Sequence, residues 1–113
     1  MHRVAVIGKD GIGSEVLESS KRILNEVTDN IRFHEFNGGY EVYQNTGSSI
    51  RDKDLKEISD MDAILFGSTT TPFDESGYRS LILTLRQELD LYANLRIIPD
   101  LWNNKKIFIV REN

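Results

Sequence analysis

Three arginines, Arg86, Arg96 and Arg111, are the residues whose type most directly suggests chemistry. A guanidinium grips a carboxylate through two parallel N–H···O bonds and keeps its charge at any working pH, so three around one cleft would suit a di- or tricarboxylate. Three solvated arginines on separate surfaces would leave the same residues in the sequence, and type alone keeps both readings open. The hydroxyls of Thr69, Thr70, Thr71 and Ser80 precede Arg86 and offer hydrogen bonds to the same region, or serve an ordinary loop. Gly8-x-x-Gly11-x-Gly13 misses the dinucleotide fingerprint, whose third glycine would fall at Val16, and misses the phosphate loop, because Ser14-Glu15 stands where Lys-Ser/Thr is required. What remains is either a backbone loop approaching a ligand at a helix N-terminus or a plain strand-to-helix turn. His2 and His34 have no triad or metal spacing with a partner. Asp52, Asp54 and Glu57, with Asp60 and Asp62, read as a solvated helix face and its exit turn rather than a metal site. Tyr40 and Tyr43 read as one helix face, and Trp102 as packing. No residue is assigned as catalytic or as a metal ligand.

The elements that must position these groups follow from periodicity and punctuation. Arg3 to Ile7 is a β-prone run, the glycine loop follows, and a helix opens that Ser14 is placed to cap, with Glu15 at its positive end. Val16, Leu17, Ile23, Leu24 and Val27 recur along it at helical spacing, with Ser20 on the same stripe. Ile31 to Phe36 reads as a strand, Tyr40 to Gln44 as a brief helix, Asn45 to Ser49 as a turn and Asp52 to Ile58 as a helix. The continuous apolar run Ala63-Ile64-Leu65-Phe66 has the look of a strand buried on both faces, and is expected at the centre of the sheet. Ser68 to Gly77 is then a polar loop at a strand's carboxyl end, where open α/β sheets bind ligands. Arg79 to Leu89 reads as a helix, Tyr92 to Ile98 and Lys106 to Arg111 as strands, and Pro99 to Asn104 as a polar connector, a hinge or boundary. The fold class is α/β: an open, largely parallel sheet flanked by helices.

Composition narrows the chemistry. The chain has 113 residues, a net charge of −4, 39% hydrophobic residues and no cysteine. Thiol nucleophiles, disulfides, zinc ribbons and iron–sulfur sites are therefore excluded. No apolar run approaches the roughly 20 residues of a membrane span, the first residues lack a signal-peptide core, and a cytoplasmic location is expected. No basic block exceeds two residues, as in Lys105-Lys106, so neither nucleic acid nor an anionic membrane is an expected partner. A strand-final stop at Asn113 reads as a cut rather than a natural end.

Five blocks then occur in a familiar order: Asp10-Gly-Ile-Gly-Ser-Glu-Val16, Asp62-Ala-Ile-Leu-Phe-Gly67, Ser80-Leu-Ile-Leu-Thr-Leu-Arg86, Leu91-Tyr-Ala-Asn-Leu-Arg96 and Val110-Arg-Glu-Asn113. On these blocks the chain, from residue 3 to 113, resembles the amino-terminal portion of the isocitrate and 3-isopropylmalate dehydrogenases, the β-decarboxylating dehydrogenases. The resemblance implies residues 1–98 as part of a first, cofactor-side domain, and 99–113 as a connector and the first strand of a second. It implies NAD or NADP taking hydride from a 2-hydroxy-3-carboxy acid while Mg2+ or Mn2+ holds hydroxyl and carboxylate. It implies a homodimer in the full-length protein.

By position, the resemblance assigns Arg86, Arg96 and Arg111 to the substrate carboxylates and Ser80 and Ile82 to its variable group. It assigns Gly11 and Ile12 to the nicotinamide end of the cofactor, and Thr71 to the nicotinamide ribose and substrate. Ile82 stands where isocitrate enzymes have Asn, which points to 3-isopropylmalate or homoisocitrate, whereas Ser80 and Thr70-Thr71-Pro72 look like isocitrate enzymes; substrate choice stays open. Gly8-Lys9 replaces the family's Pro-Gly, and Phe73 to Gly77 is more acidic than usual. The family's catalytic Tyr and Lys, its metal ligands and its adenosine segment are expected beyond Asn113, so turnover by these residues alone is not expected. Two other classes compete. One is a truncated, non-catalytic binding or subunit-interaction module; the other, a flavodoxin-like or nucleotide-binding fold, lacks the expected acidic pair and phosphate loop after its first strand.

Overall fold

A computed structural model describes residues 1–113. The chain alternates strand and helix: β1 (His2–Lys9), α1 (Gly13–Val27), β2 (Ile31–Glu35), α2 (Tyr40–Thr46), α3 (Asp52–Ser59), β3 (Ala63–Ser68), α4 (Leu81–Glu88), β4 (Ala93–Asp100) and β5 (Lys105–Glu112). The first three strands form a parallel sheet in the order β2-β1-β3, with Val4 opposite Phe33 on one side and Ala63 on the other. The expected α/β class with helix-flanked parallel strands is the one observed.

The centre of that sheet is β1, not the Ala63–Phe66 strand expected there. Ala5, Val6 and Ile7 are fully buried, while β3 is an edge strand whose residues are half-exposed or exposed. A continuous apolar run records how much burial a strand demands and says nothing about which neighbour it acquires. Alternation along β1 sends Ala5 and Ile7 into one core with Phe36, Ile50, Ile58, Leu81 and Leu85. α1 covers the opposite face, packing on β1 and β3 with Leu17 buried.

The start of α1 differs from the sequence expectation. Its N-cap is Ile12, without a side-chain hydrogen bond, and Ser14 lies inside the first turn with Oγ 3.5 Å from the Lys9 carbonyl. Gly13 explains the shift: any Cβ there would collide with the Gly8 carbonyl, so the helix starts pressed against the end of β1. The stripe is also narrower than its periodicity suggested, because Val16, Ile23 and Val27 are exposed. Helix α4 begins at Leu81 rather than Arg79, since Ser80 caps it by accepting from the Leu83 N–H at 3.4 Å.

The last two strands leave the parallel sheet and pair with each other as an antiparallel hairpin, from Ala93↔Glu112 to Asp100↔Lys105. The connector expected over Pro99–Asn104 is thus the end of β4 followed by the hairpin turn, and a boundary after residue 98 falls inside β4. Asp100 builds that turn by accepting from the N–H groups of Trp102 at 3.0 Å and Asn103 at 3.3 Å, and Asn104 takes the left-handed conformation. Those bonds hold the Asp100 carboxyl below its ordinary pKa, the Asn103 side chain contributing most. No helix is long and apolar enough to cross a membrane.

Candidate functional site

The carboxyl ends of parallel strands gather the polar loops. Pairing of Lys9 with Ser68 brings the loop after β1 beside the loop after β3, so Gly11 and Ile12 share an edge of the sheet with Thr69, Thr70 and Thr71. Gly11 adopts φ +56 with nothing within 4 Å of where a Cβ would stand, and Ile12 is 69% exposed, an apolar side chain facing outward at the head of α1. Thr71 is exposed, one residue beyond the Thr70 N–H that bonds Asp10.

Asp10 ties these loops together. Its carboxylate oxygen Oδ2 accepts from the Thr70 N–H at 3.0 Å and the Tyr40 N–H at 3.3 Å, and its backbone carbonyl accepts from Ser68 Oγ at 2.6 Å and the Gly13 N–H at 2.9 Å. Gly39 makes room for this carboxylate: it sits at φ +119, and a Cβ there would stand 2.5 Å from Oδ2. Nothing in the residue types or spacing around Asp10 assigns it this role. The available signal is an acidic residue inside a glycine loop, with a glycine pair, Gly38-Gly39, just before its partner Tyr40.

The β3–α4 loop has a second anchor on α2. The Tyr40 hydroxyl donates to Glu75 Oε1 at 3.0 Å, and Tyr78 packs edge-on against Tyr40 and Tyr43 at centroid distances of 5.6 and 4.9 Å. Tyr40 and Tyr43 do share one helix face, stacked at 6.3 Å, as expected, and the loop supplies the third ring. The hydrogen bond to Glu75 raises the Tyr40 pKa, while burial, aided by the Asp10 charge, raises that of Tyr78.

Helix α4 links this edge to the arginines. Ser80, nearly buried, spends its hydroxyl on the cap, whereas Ile82 and Arg86 are half-buried one turn apart on one face. Ser80 and Arg86 stand about 9 Å apart along the axis at 1.5 Å per residue. Arg86 lines a cleft with Leu83, Gln87, Asp90, Leu91, Tyr92 and Asn113. Asn113 closes the base of the hairpin, its side chain donating to the Leu91 carbonyl at 2.7 Å and its N–H to that of Tyr92 at 3.0 Å.

Arg111 lies opposite Asn94, and Arg96 opposite Ile109, so Arg96 and Arg111 are diagonal neighbours on one face of the hairpin. Arg86, Arg96 and Arg111 make no salt bridge within the chain, although four lysine–carboxylate pairs and an Arg79–Glu88 pair form elsewhere. The structure therefore gathers Gly11, Ile12 and Thr71 at one edge, Arg96 and Arg111 on one hairpin face, and Ser80, Ile82 and Arg86 along the helix between. No group of three or more His, Asp or Glu side chains is arranged to hold a metal ion.

Comparison with known proteins places these features in context. The model of the isocitrate/isopropylmalate dehydrogenase family matches residues 3–113. An isocitrate/homoisocitrate dehydrogenase from Pyrococcus horikoshii is 60% identical over all of this chain and 33% of its own length. A 3-isopropylmalate dehydrogenase from Mycolicibacterium gilvum is 40% identical over 83% of the chain and 29% of its own. Among solved structures, a β-decarboxylating dehydrogenase from Thermococcus kodakarensis superposes with a TM-score of 0.91 at 62% identity, covering 100% of this chain and 34% of that one. The isocitrate dehydrogenase of Methylococcus capsulatus superposes at 0.83 with 28% identity, covering 100% and 35%. The chain thus spans about a third of the length of the relatives it matches.

Proposed function

The chain belongs to the isocitrate/isopropylmalate dehydrogenase family, and from that premise we propose that it forms the substrate-carboxylate wall and part of the nicotinamide site of an NAD(P)-dependent β-decarboxylating dehydrogenase. The proposed substrate is a 2-hydroxy-3-carboxy acid, isocitrate or homoisocitrate ahead of 3-isopropylmalate. The preference rests on the 60% identical relative named for the first two. The observation that carries the reading is placement: Arg86 stands half-buried one turn from Ile82 on α4, and Arg96 and Arg111 share one hairpin face, all three, like most arginines of the chain, without an internal carboxylate partner. Uncompensated guanidinium groups on a half-buried helix face and one hairpin face keep their full bidentate capacity for an anionic ligand.

In this reading Arg86, Arg96 and Arg111 bind and orient the carboxylates, while Ile82, on the face of Arg86, meets the variable group beside Ser80. The cofactor residues fit a nicotinamide. Gly11 leaves open space and Ile12 an exposed apolar surface, and the Ser14 and Glu15 N–H groups have no acceptor within the chain. The exposed Glu15 carboxylate in the first turn of α1 adds negative charge that suits a cationic ring at this edge. Thr71 supplies a hydroxyl between cofactor and substrate. Bound NAD(P)+ contributes the hydride acceptor. Residues 1–113 contain no cluster of three carboxylate or imidazole ligands, so by themselves they do not fit the Mg2+ or Mn2+ that the family resemblance implies.

The whole protein is proposed to work as a cytoplasmic homodimer, which light scattering of the full-length protein tests. The activity is tested by NAD(P)H formation from isocitrate, homoisocitrate and 3-isopropylmalate with magnesium, using full-length protein. Turnover on one acid that collapses in Arg86→Ala supports the reading. Turnover on none, or turnover indifferent to Arg86, overturns it.

A further inference from the structure

Building on the function proposed above, the geometry points to Asp10 as a positioning residue that holds the cofactor-side glycine loop, the start of α2 and the β3–α4 loop as one unit, with Glu75 closing that unit from outside through Tyr40. Each Asp10 contact lies next to a proposed ligand-facing position. Asp10 itself precedes Gly11 and Ile12, and its partner Thr70 precedes Thr71. A displacement of one loop is passed to the other through two bonds made by a single residue: Oδ2 to the Thr70 N–H, and the carbonyl to Ser68 Oγ.

The chemistry of the contact favours this role over a direct one. The Asp10 carboxylate has no cationic side chain in a salt bridge; it is held by two backbone N–H groups from segments thirty and sixty residues away. Charge-assisted bonds of this type are stronger than neutral ones, and a carboxylate accepts several at once. Gly39 leaves no space for a side chain between α2 and Asp10, so α2 sits directly on the carboxylate. On the far side of the loop, Tyr40 makes the second attachment with its hydroxyl, to Glu75 at 3.0 Å. Tyr40 therefore grips the system twice, by its N–H at Asp10 and by its phenol at Glu75. The acidic segment Asp74-Glu75 gains a purpose from this second bond.

The test uses the full-length protein and two measurements: amide hydrogen exchange over segments 37–42 and 68–78 without ligand, and KM for hydroxy acid and for NAD(P)+ measured separately. Asp10→Ala is expected to raise exchange in both segments by about tenfold and to raise both KM values, because the lost bonds are charge-assisted. Asp10→Asn, which keeps one acceptor oxygen without the charge, is expected to give a smaller rise in the same segments. Glu75→Ala is expected to raise exchange over residues 72–78 and to raise the hydroxy-acid KM more than it lowers kcat, while Glu75→Gln, whose amide oxygen still accepts from Tyr40, restores both. Wild-type exchange in folded Asp10→Ala overturns the proposal; should that variant not fold, wild-type exchange in both Asp10→Asn and Glu75→Ala overturns it. Absence of turnover with every acid would sink the enzymatic reading, and the exchange data would still judge this one.

Discussion

The parallel sheet and the β4–β5 hairpin are both regular ladders, yet they are held in place by different means. β1 is covered on both faces, with Ala5, Val6 and Ile7 at 0% exposure and helices packed above and below. Every residue of β5 is exposed, and Phe108, Val110, Leu95 and Ile97 present apolar side chains with no covering element. Burial at roughly 25 cal/mol per Å2 stabilises the sheet, whereas the hairpin is held by backbone pairing and by Asn113 at its base. Within these 113 residues the glycine loop is seated on a packed core, while Arg96 and Arg111 stand on strands that nothing else in this third of the relatives' length covers.

The comparison can be sharpened first at the arginines. Arg86→Ala in the full-length enzyme is expected to cut kcat/KM by about a thousandfold, the scale of leaving a desolvated carboxylate unpaired, and Arg86→Lys is expected to recover only part because the bidentate fork is lost. Comparable losses at Arg96 and Arg111 would show that the hairpin presents its cations as firmly as α4 does; losses near unity would break the reading of one shared wall.

Ile7→Ala removes a fully buried side chain from the core cluster and is expected to cost about 3 kcal/mol in chemical denaturation of the chain, whereas Ile109→Ala on the hairpin is expected to cost less than about 1 kcal/mol. Equal costs would mean the two regions are packed alike.

How legible these regions were follows the same division. The glycine loop, α1, α3 and β1 could be read because glycine punctuation and apolar periodicity are local properties. The hairpin strands could be read as strands, but not their antiparallel pairing, because two apolar runs carry no record of direction and Asp100 declares its turn only through bonds to Trp102 and Asn103. The apolar run of β3 suggests a central strand and ends at an edge, because such a run records a demand for burial and not a position. Asp10 escaped because its partners are backbone N–H groups, and every residue but proline has one. The arginines were legible as a type, and through the resemblance as a set, while Ser80's service as the α4 cap emerged only from the helix start.

The smallest expected effect lies where the sheet meets water. Burial works to raise Glu35, but hydrogen bonds from Lys21 and Lys9 outweigh it and hold the carboxyl below its ordinary value of 4.5. Lys21 is raised above 10.5, by its hydrogen bond to Glu18 first and to Glu35 second. Glu35 therefore contributes stability present above the ordinary carboxylate pKa and lost as pH falls through its depressed one. Lys21 contributes stability present below 10.5 and lost as pH rises through its raised one. Both groups are near the surface, so Glu35→Gln is expected to cost at most about 1 kcal/mol at pH 7, and to remove part of the acid-side slope of the denaturation midpoint.

The hairpin turn also gives the molecule an optical division of labour. The chain's one tryptophan, Trp102, stands 91% exposed at the tip of the hairpin, while Tyr40, Tyr43 and Tyr78 are clustered where α2 meets the β3–α4 loop. Emission from the indole reports whatever comes to rest on the hairpin tip, and the tyrosine signal is weighted toward the junction of loop and helix. Red-edge excitation selects the indole alone, and subtracting its scaled spectrum from that excited at shorter wavelength leaves a signal weighted toward the tyrosine cluster, with Tyr92 as the one tyrosine on the hairpin side.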